Sequence, residues 1–264
     1  MAETIIPLKD FDINKVELSK VMPNKRGDKS CYLNYNIDGR KGSFMLRSPK
    51  FNLPFGCNDK PYKDNPVIKY SFSAPLSKDG DVTPEGLVMF TNILKQLDDF
   101  ILNEAVKNAK TWFPNTKNPK REIIEEFFRP CIKQPKDTTK GYSPTFSVKL
   151  PIYDQRKDPN NPKSDTYKKA GFQLFDNNKN EVHFIKDDVV DLSLLGKGSS
   201  VMCLLQCTGL HFSRGQFGLS WKAVQVKANK PKGIVGCAIV DDSDDEETEA
   251  GEEEEEEVEE EDEC

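Results

Sequence analysis

Histidine is nearly absent from this chain, with only His183 and His211 in 264 residues. Acid–base and nucleophilic chemistry near neutral pH leans on that side chain, and no other motif compensates for its scarcity. There is no G-x-S-x-G, no Walker-type phosphate loop, no G-x-G-x-x-G and no H-E-x-x-H. Both histidines fall in segments that read as strands, where facing the core or a cross-strand neighbour is the ordinary role. Long apolar runs are missing too. None approaches the ~18 consecutive residues that a spanning helix needs, and Met1 to Asp10 lacks the basic start and apolar stretch of a secretory signal. An intracellular protein without membrane contact is the expectation. The seven cysteines, at 31, 57, 131, 203, 207, 237 and 264, are odd in number and form no disulfide-framework spacing, so reduced thiols are expected. Cys203-x-x-x-Cys207 comes nearest to a metal pair. On an extended strand, however, the two sulfurs stand ~13 Å apart, too far for one zinc with bonds of ~2.3 Å. Small buried hydrophobes are the better reading. The chain is therefore read as a non-enzyme with no metal and no cofactor.

Basic charge is missing from the C-terminal stretch, and the contrast with the rest is the chain's strongest signal. Asp241 to Cys264 holds 18 acids and no Lys or Arg, including six consecutive glutamates from Glu252 to Glu257. Residues 1–240 then carry 38 bases against 26 acids, a net of +12 with histidine neutral, although the whole chain sums to −6. A body of that sign gathers polyanions, and neutralising phosphates releases their counterions, so nucleic acid leads the partner classes. The acidic segment cannot bury apolar surface or escape its own repulsion, and is expected to stay disordered. Tethered to a cationic groove, it would see that groove at an effective concentration of order millimolar and imitate nucleic acid there.

Period-2 segments bounded by turn residues dominate the body, which reads as mainly β. Leu33, Tyr35 and Ile37 alternate up to Asp38-Gly39, after which Ser43 to Arg47 can return as an antiparallel partner. Ile68, Tyr70 and Phe72 alternate with polar residues, as do Phe146, Val148 and Leu150. Between them Thr83 is a good N-cap before Pro84. Leu87, Phe90, Leu94, Leu97 and Ile101 then form one apolar stripe, so an amphipathic helix is expected. A shorter helix begins near Pro119 and ends at Pro130. Asp154 to Lys169 has no apolar period and reads as a mobile basic loop. Gly171 to Phe175 and Glu181 to Ile185 flank a turn and predict another hairpin. Val201 to Phe212 and Phe217 to Lys227 predict the longest one, joined by a four-residue loop from Ser213 to Gln216. The domains expected are a body over 1–233, with a helical insert at about 84–129 and the basic loop 154–169, and a tail over 234–264.

Binding single-stranded nucleic acid needs cations for phosphates and flat side chains for bases. Several of the 25 aromatics have a basic neighbour. Tyr70 follows Lys69, Tyr153 lies near Arg156, Tyr167 precedes Lys168, Phe217 follows Arg214 and Trp221 precedes Lys222. In a β-rich body most aromatics are core, so the reading rests on the summed charge more than on any one ring.

The segment Val201 to Lys227, C-T-G-L-H-F followed by a short basic turn and F-G-L-S-W-K-A-V-Q-V, resembles the final hairpin of single-stranded-DNA-binding proteins of nucleocytoplasmic large DNA viruses. More broadly, the chain resembles OB-fold single-stranded-DNA-binding proteins with acidic C-terminal tails. That resemblance implies an OB-fold-like antiparallel barrel with an inserted amphipathic helical segment, holding DNA without sequence preference in viral replication, recombination or repair. It also implies an intracellular site of action, in the host cytoplasm, viral factory or nucleus, with packaging in the virion as a further option. By the likeness Arg214, Phe217, Trp221 and Lys222 are candidate contacts, with Lys149 and Tyr153 on a neighbouring strand; Lys69 and Arg156 join them from charge and ring interleaving. The partners implied are single-stranded DNA, with RNA as an alternative, and replication proteins met through the tail. Tails of the phage and bacterial type end in an aromatic residue, whereas this one ends Asp262-Glu263-Cys264. A rival reading is an acidic-tailed chaperone or virion interaction protein that captures basic partners.

Overall fold

Strict alternation from Val201 to Cys207 sends every second side chain to one side, and the computed structural model pairs that run with the chain's other long β-prone segment. The structure describes residues 4–23, 28–58, 68–77, 84–114, 116, 120–158, 160–161 and 163–230. The acidic tail lies outside the described residues, as do Thr83 and Pro119. Eight strands frame the candidate site: β1 (Phe44–Arg47), β2 (Phe51–Leu53), β3 (Cys57–Asn58), β4 (Ser71–Pro75), β5 (Ile132–Lys133), β6 (Thr145–Lys149), β7 (Ser199–Ser213) and β8 (Gln216–Asn229). The helices are α1 (Glu85–Lys107), α2 (Ala109–Trp112) and α3 (Arg121–Phe127).

The main sheet runs β1-β7-β8-β6-β4-β3, with β2 also on β7 and β5 on β6. Most pairs are antiparallel, but β6 meets β8 in parallel at Lys149 and Lys222, and Gln173–Phe175 also joins β8 in parallel. The fold is thus mainly β with few helices. The sheet is mixed where an antiparallel barrel was expected, and the described strands show no closed barrel. Parallel neighbours need a long crossover, and the segment between β6 and β8 supplies one.

One face of this sheet is the core. Phe72 and Ala74, Phe146 and Val148, Trp221 and Ala223, and Cys203, Leu205 and Cys207 all point inward and are buried. The stripe on α1 lies against them. Phe90 has ring neighbours Phe51 at 5.6 Å and Phe146 at 5.3 Å, and Phe146 reaches Trp221 at 5.9 Å. Cys203 and Cys207 are buried thiols, as their spacing implied. Among the described residues no helix is long and apolar enough to cross a membrane, and no cluster of metal-ligating side chains occurs.

Several expected connections differ. The Asp38-Gly39 turn forms, with positive φ at both residues, but the returning strand is Arg40–Gly42. Phe44–Arg47 leaves that hairpin to pair with β7, because its three consecutive buried residues, Phe44, Met45 and Leu46, suit a strand covered on both faces. The connection between β7 and β8 is a two-residue turn, not a four-residue loop, since Ser213 pairs with Gln216 around Arg214 and Gly215. Positive φ at both matches the strand twist that such hairpins require. The basic loop 154–169 is largely a hairpin of Ile152–Arg156 with Thr166–Ala170. It is held by a Lys168–Asp154 ion pair and by Asp188 accepting from the Lys168 backbone N–H at 2.8 Å. Gly171 to Ile185 does not form a two-stranded hairpin. Only Phe175 makes a β-bridge there, to Glu181, while Gln173–Phe175 is drawn onto β8.

Candidate nucleic-acid interface

The outward side chains of the sheet follow from the same alternation that buries the inward ones. On β6 these are Thr145, Ser147 and Lys149; on β4 they are Ser71 and Ser73. Register places Ser71 beside Lys149 and Ser73 beside Ser147, while Lys149 also meets Lys222 of β8. The Ser73 and Ser147 hydroxyls lie 3.4 Å apart, and Lys133 of β5 donates to Ser147 Oγ at 3.0 Å. Lys149 donates to the Ser220 hydroxyl. The result is a strip of hydroxyls and lysines laid over an apolar core.

Its electrostatics are one-sided. Partial burial lowers the Lys149 pKa from the ordinary lysine value, and the nearby charges of Lys69 and Lys133 lower it further. His211, beside this cluster, is likewise lowered by burial first and by Lys149 second, and its Nε2 lies 3.2 Å from the Thr208 hydroxyl. None of Lys69, Lys133, Lys149 or Lys222 forms an ion pair among the described residues. Like charges gathered on one face, with no ion-pair partner among the described residues, carry a standing cost, which an arriving polyanion relieves.

The candidates from sequence fall into three groups. Lys69, Lys149 and Lys222 come together on the strip. Tyr153 and Arg156 lie on the hairpin that follows β6, both exposed; the Tyr153 ring is 53% exposed and packs over Gly171. Arg214 sits away from the strip at the tip of the β7–β8 turn. It borders a cavity of about 360 Å³ walled by Trp112, Phe113, Phe127 and Phe212. Phe217 and Trp221 are corrected. They are 1% and 2% exposed and belong to the core, Phe217 within 5.2 Å of the Phe113 ring and Trp221 between Phe44 and Phe146. Each is an inward position of β8, so Lys222 beside Trp221 faces the other way, while Arg214 lies in the turn before the strand. Of the histidines, His211 lies on β7 as expected, in register with Gly218 and Ser30, whereas His183 is exposed and lies outside any strand. Lys133, Ser71, Ser73 and Ser147 were missed. Only strand register assembles them, and no local spacing announces it.

No protein-family profile matches the chain, and no curated protein matches it. Among solved structures it is similar to gp2.5, a single-stranded DNA binding protein encoded by bacteriophage T7, at 14% identity and a TM-score of 0.39, covering 80% of this chain and 98% of that one. It is also similar to the single-stranded DNA-binding protein from bacteriophage Enc34, at 13% identity and a TM-score of 0.36, over 86% of this chain and 98% of that one. The Enc34 protein in complex with ssDNA gives 13% and 0.36 over 84% and 99%. At these scores the likeness is loose, and the strip stands on this chain's own residues.

Proposed function

We propose that this chain binds single-stranded DNA, without sequence preference, on the outer strip of β4, β6 and β8. The observation that carries the reading is the crowding of Lys69, Lys133 and Lys149 on a hydroxyl-lined sheet face, with no carboxylate partner among the described residues. Lysines there pair with phosphates, serine hydroxyls donate to phosphate oxygens, and exposed rings such as Tyr153 offer faces to unpaired bases. A duplex hides those faces, which favours single strands. The sheet is read as an elaborated relative of the OB-fold barrel, and the protein as non-enzymatic, acting inside the cell in viral DNA replication, recombination or repair.

The acidic tail completes the proposal. Eighteen acids tethered to a body of net +12 compete for the same strip, so only ligands that outbid the tail are retained. Fluorescence anisotropy with oligo(dT), duplex DNA and RNA at two salt concentrations tests partner and mechanism together. Expected are a preference for the single strand and a fall in log K of ~0.7 per phosphate contact per decade of salt. A salt-insensitive constant overturns the reading. Loss of all activity on deleting Asp241 to Cys264 would favour the rival chaperone reading.

A further inference from the structure

We infer that Phe55 is a base-stacking residue, and that the cleft it shares with Ser71 and Ser73 takes one nucleobase of the bound strand. The inference rests on the strand-binding reading above and adds to it a specific subsite.

Phe55 is 84% exposed, more than any other large apolar side chain among the described residues. Single exposed hydrophobes are common and need no explanation by themselves. What separates Phe55 is the fixed backbone that carries it and the cleft it borders. Its turn is closed by Gly56 N–H donating to the Leu53 carbonyl at 3.3 Å, and the same carbonyl accepts from Gly198 at 2.8 Å. Gly56 has φ +68°, and a Cβ there would fall 2.8 Å from both Gly196 C and Lys197 N. Backbone therefore presses on backbone at Gly56, next to Phe55, and only glycine fits. A ring on a fixed turn keeps its place beside the cleft, so binding has to order only its side-chain torsions and not the backbone.

The ring borders a cleft of about 380 Å³, walled also by Asn58, Ser71 and Ser73. That volume lies within the range of about 300–1,000 Å³ typical of small-ligand clefts. Its wall backs onto the lysine cluster: Ser71 pairs with Lys149, and Ser73 touches Ser147, the acceptor of Lys133. From β3, which continues the Phe55 turn, to β6, which carries Lys149, is a distance of two strands, about 10 Å. This is the scale of one nucleotide, from a phosphate held by lysine to a base against the ring. An apolar ring bordering the same cleft as hydroxyl and amide groups matches a nucleobase, which is itself flat-faced and polar-edged. An aliphatic side chain would leave those groups unpaired.

The test uses the full-length chain with Phe55→Ala, Phe55→Leu and Phe55→Trp, titrated with oligo(dT) and with an abasic oligonucleotide of the same length. Phe55→Ala and Phe55→Leu should each weaken oligo(dT) binding about five- to hundredfold, the span of one base–aromatic stack. Neither should change the salt slope or the affinity for the abasic strand. Phe55→Trp should keep wild-type affinity and lose tryptophan emission on adding oligo(dT). Wild-type oligo(dT) binding by Phe55→Ala, or an equal loss on both strands, overturns the inference while leaving strand binding intact. If the wild-type chain, with and without its tail, bound no single strand at all, the underlying reading would fall and take this subsite with it.

Discussion

The carboxyl of Asp98 is buried on the inner side of α1 and accepts from the Cys131 backbone N–H at 2.9 and 3.1 Å. Burial pushes its pKa up to about 6 from the usual 3.8, the Cys131 N–H opposing that rise only in part. Because the folded value is the higher one, the folded state binds this proton more tightly. The associated stability is fully present below about pH 4 and is lost as pH climbs through about 6, an effect of roughly 3 kcal/mol. Thermal melts should show the advantage of wild type over Asp98→Asn shrinking steadily from pH 4.5 to pH 7.5; a gap that holds constant would rule the titration out. Phe217 and Lys149 make a second contrast at this scale. Phe217→Ala should cost about 3–5 kcal/mol in urea unfolding, since a ring in contact with Phe113, Phe128 and Phe212 is removed from the core. Lys149→Gln should stay within about 1 kcal/mol of wild type in the same measurement. Its effect belongs to binding, where it should weaken oligo(dT) and flatten the salt slope by ~0.7.

At the scale of elements, the β7–β8 hairpin and the Ile152–Ala170 hairpin should behave as opposites. The first pairs with β1, β2 and β6 as well as with itself and buries every inward side chain. Among the described residues the second has no strand partner beyond its own two arms and is largely exposed. Hydrogen exchange should therefore find the amides of Leu205, Cys207 and Trp221 among the slowest and those of Tyr153 to Arg156 orders of magnitude faster. Equal protection of the two would contradict this packing. The same difference explains what could be read from sequence. Helix α1 and strands β4, β6, β7 and β8 each bury one face, so burial prints a period on them. Ile152–Arg156 and Thr166–Ala170 bury almost nothing, and their charges conceal the strands. Phe44–Arg47, which pairs with β7, is illegible for the reverse reason. Covered on both faces, it shows no alternation for a register to follow.

For the whole molecule, charge was legible in the sequence and geometry was not. The +12 body and its acidic counterpart are a matter of counting. The strip itself unites Lys69, Lys133 and Lys149, far apart in sequence and joined only by register, and Phe55 reads locally as one more residue of a Pro-Phe-Gly turn. Under the proposed function, removing Asp241 to Cys264 should raise oligo(dT) affinity at low salt. The gain should fade as ionic strength passes 0.15 M, where the screening length is only ~8 Å; an unchanged affinity at low salt would remove the tail from the mechanism.

The central strands, β7 and β8, are the last of the sheet to be made, so a chain leaving the ribosome can pair β4 with β6 but exposes the apolar sides of β1, β2 and that pair with no strand yet to join them. Closure waits for a late hairpin and long-range pairing, the slow kind. Nascent chains stalled before residue 199 should be the ones that chaperones hold.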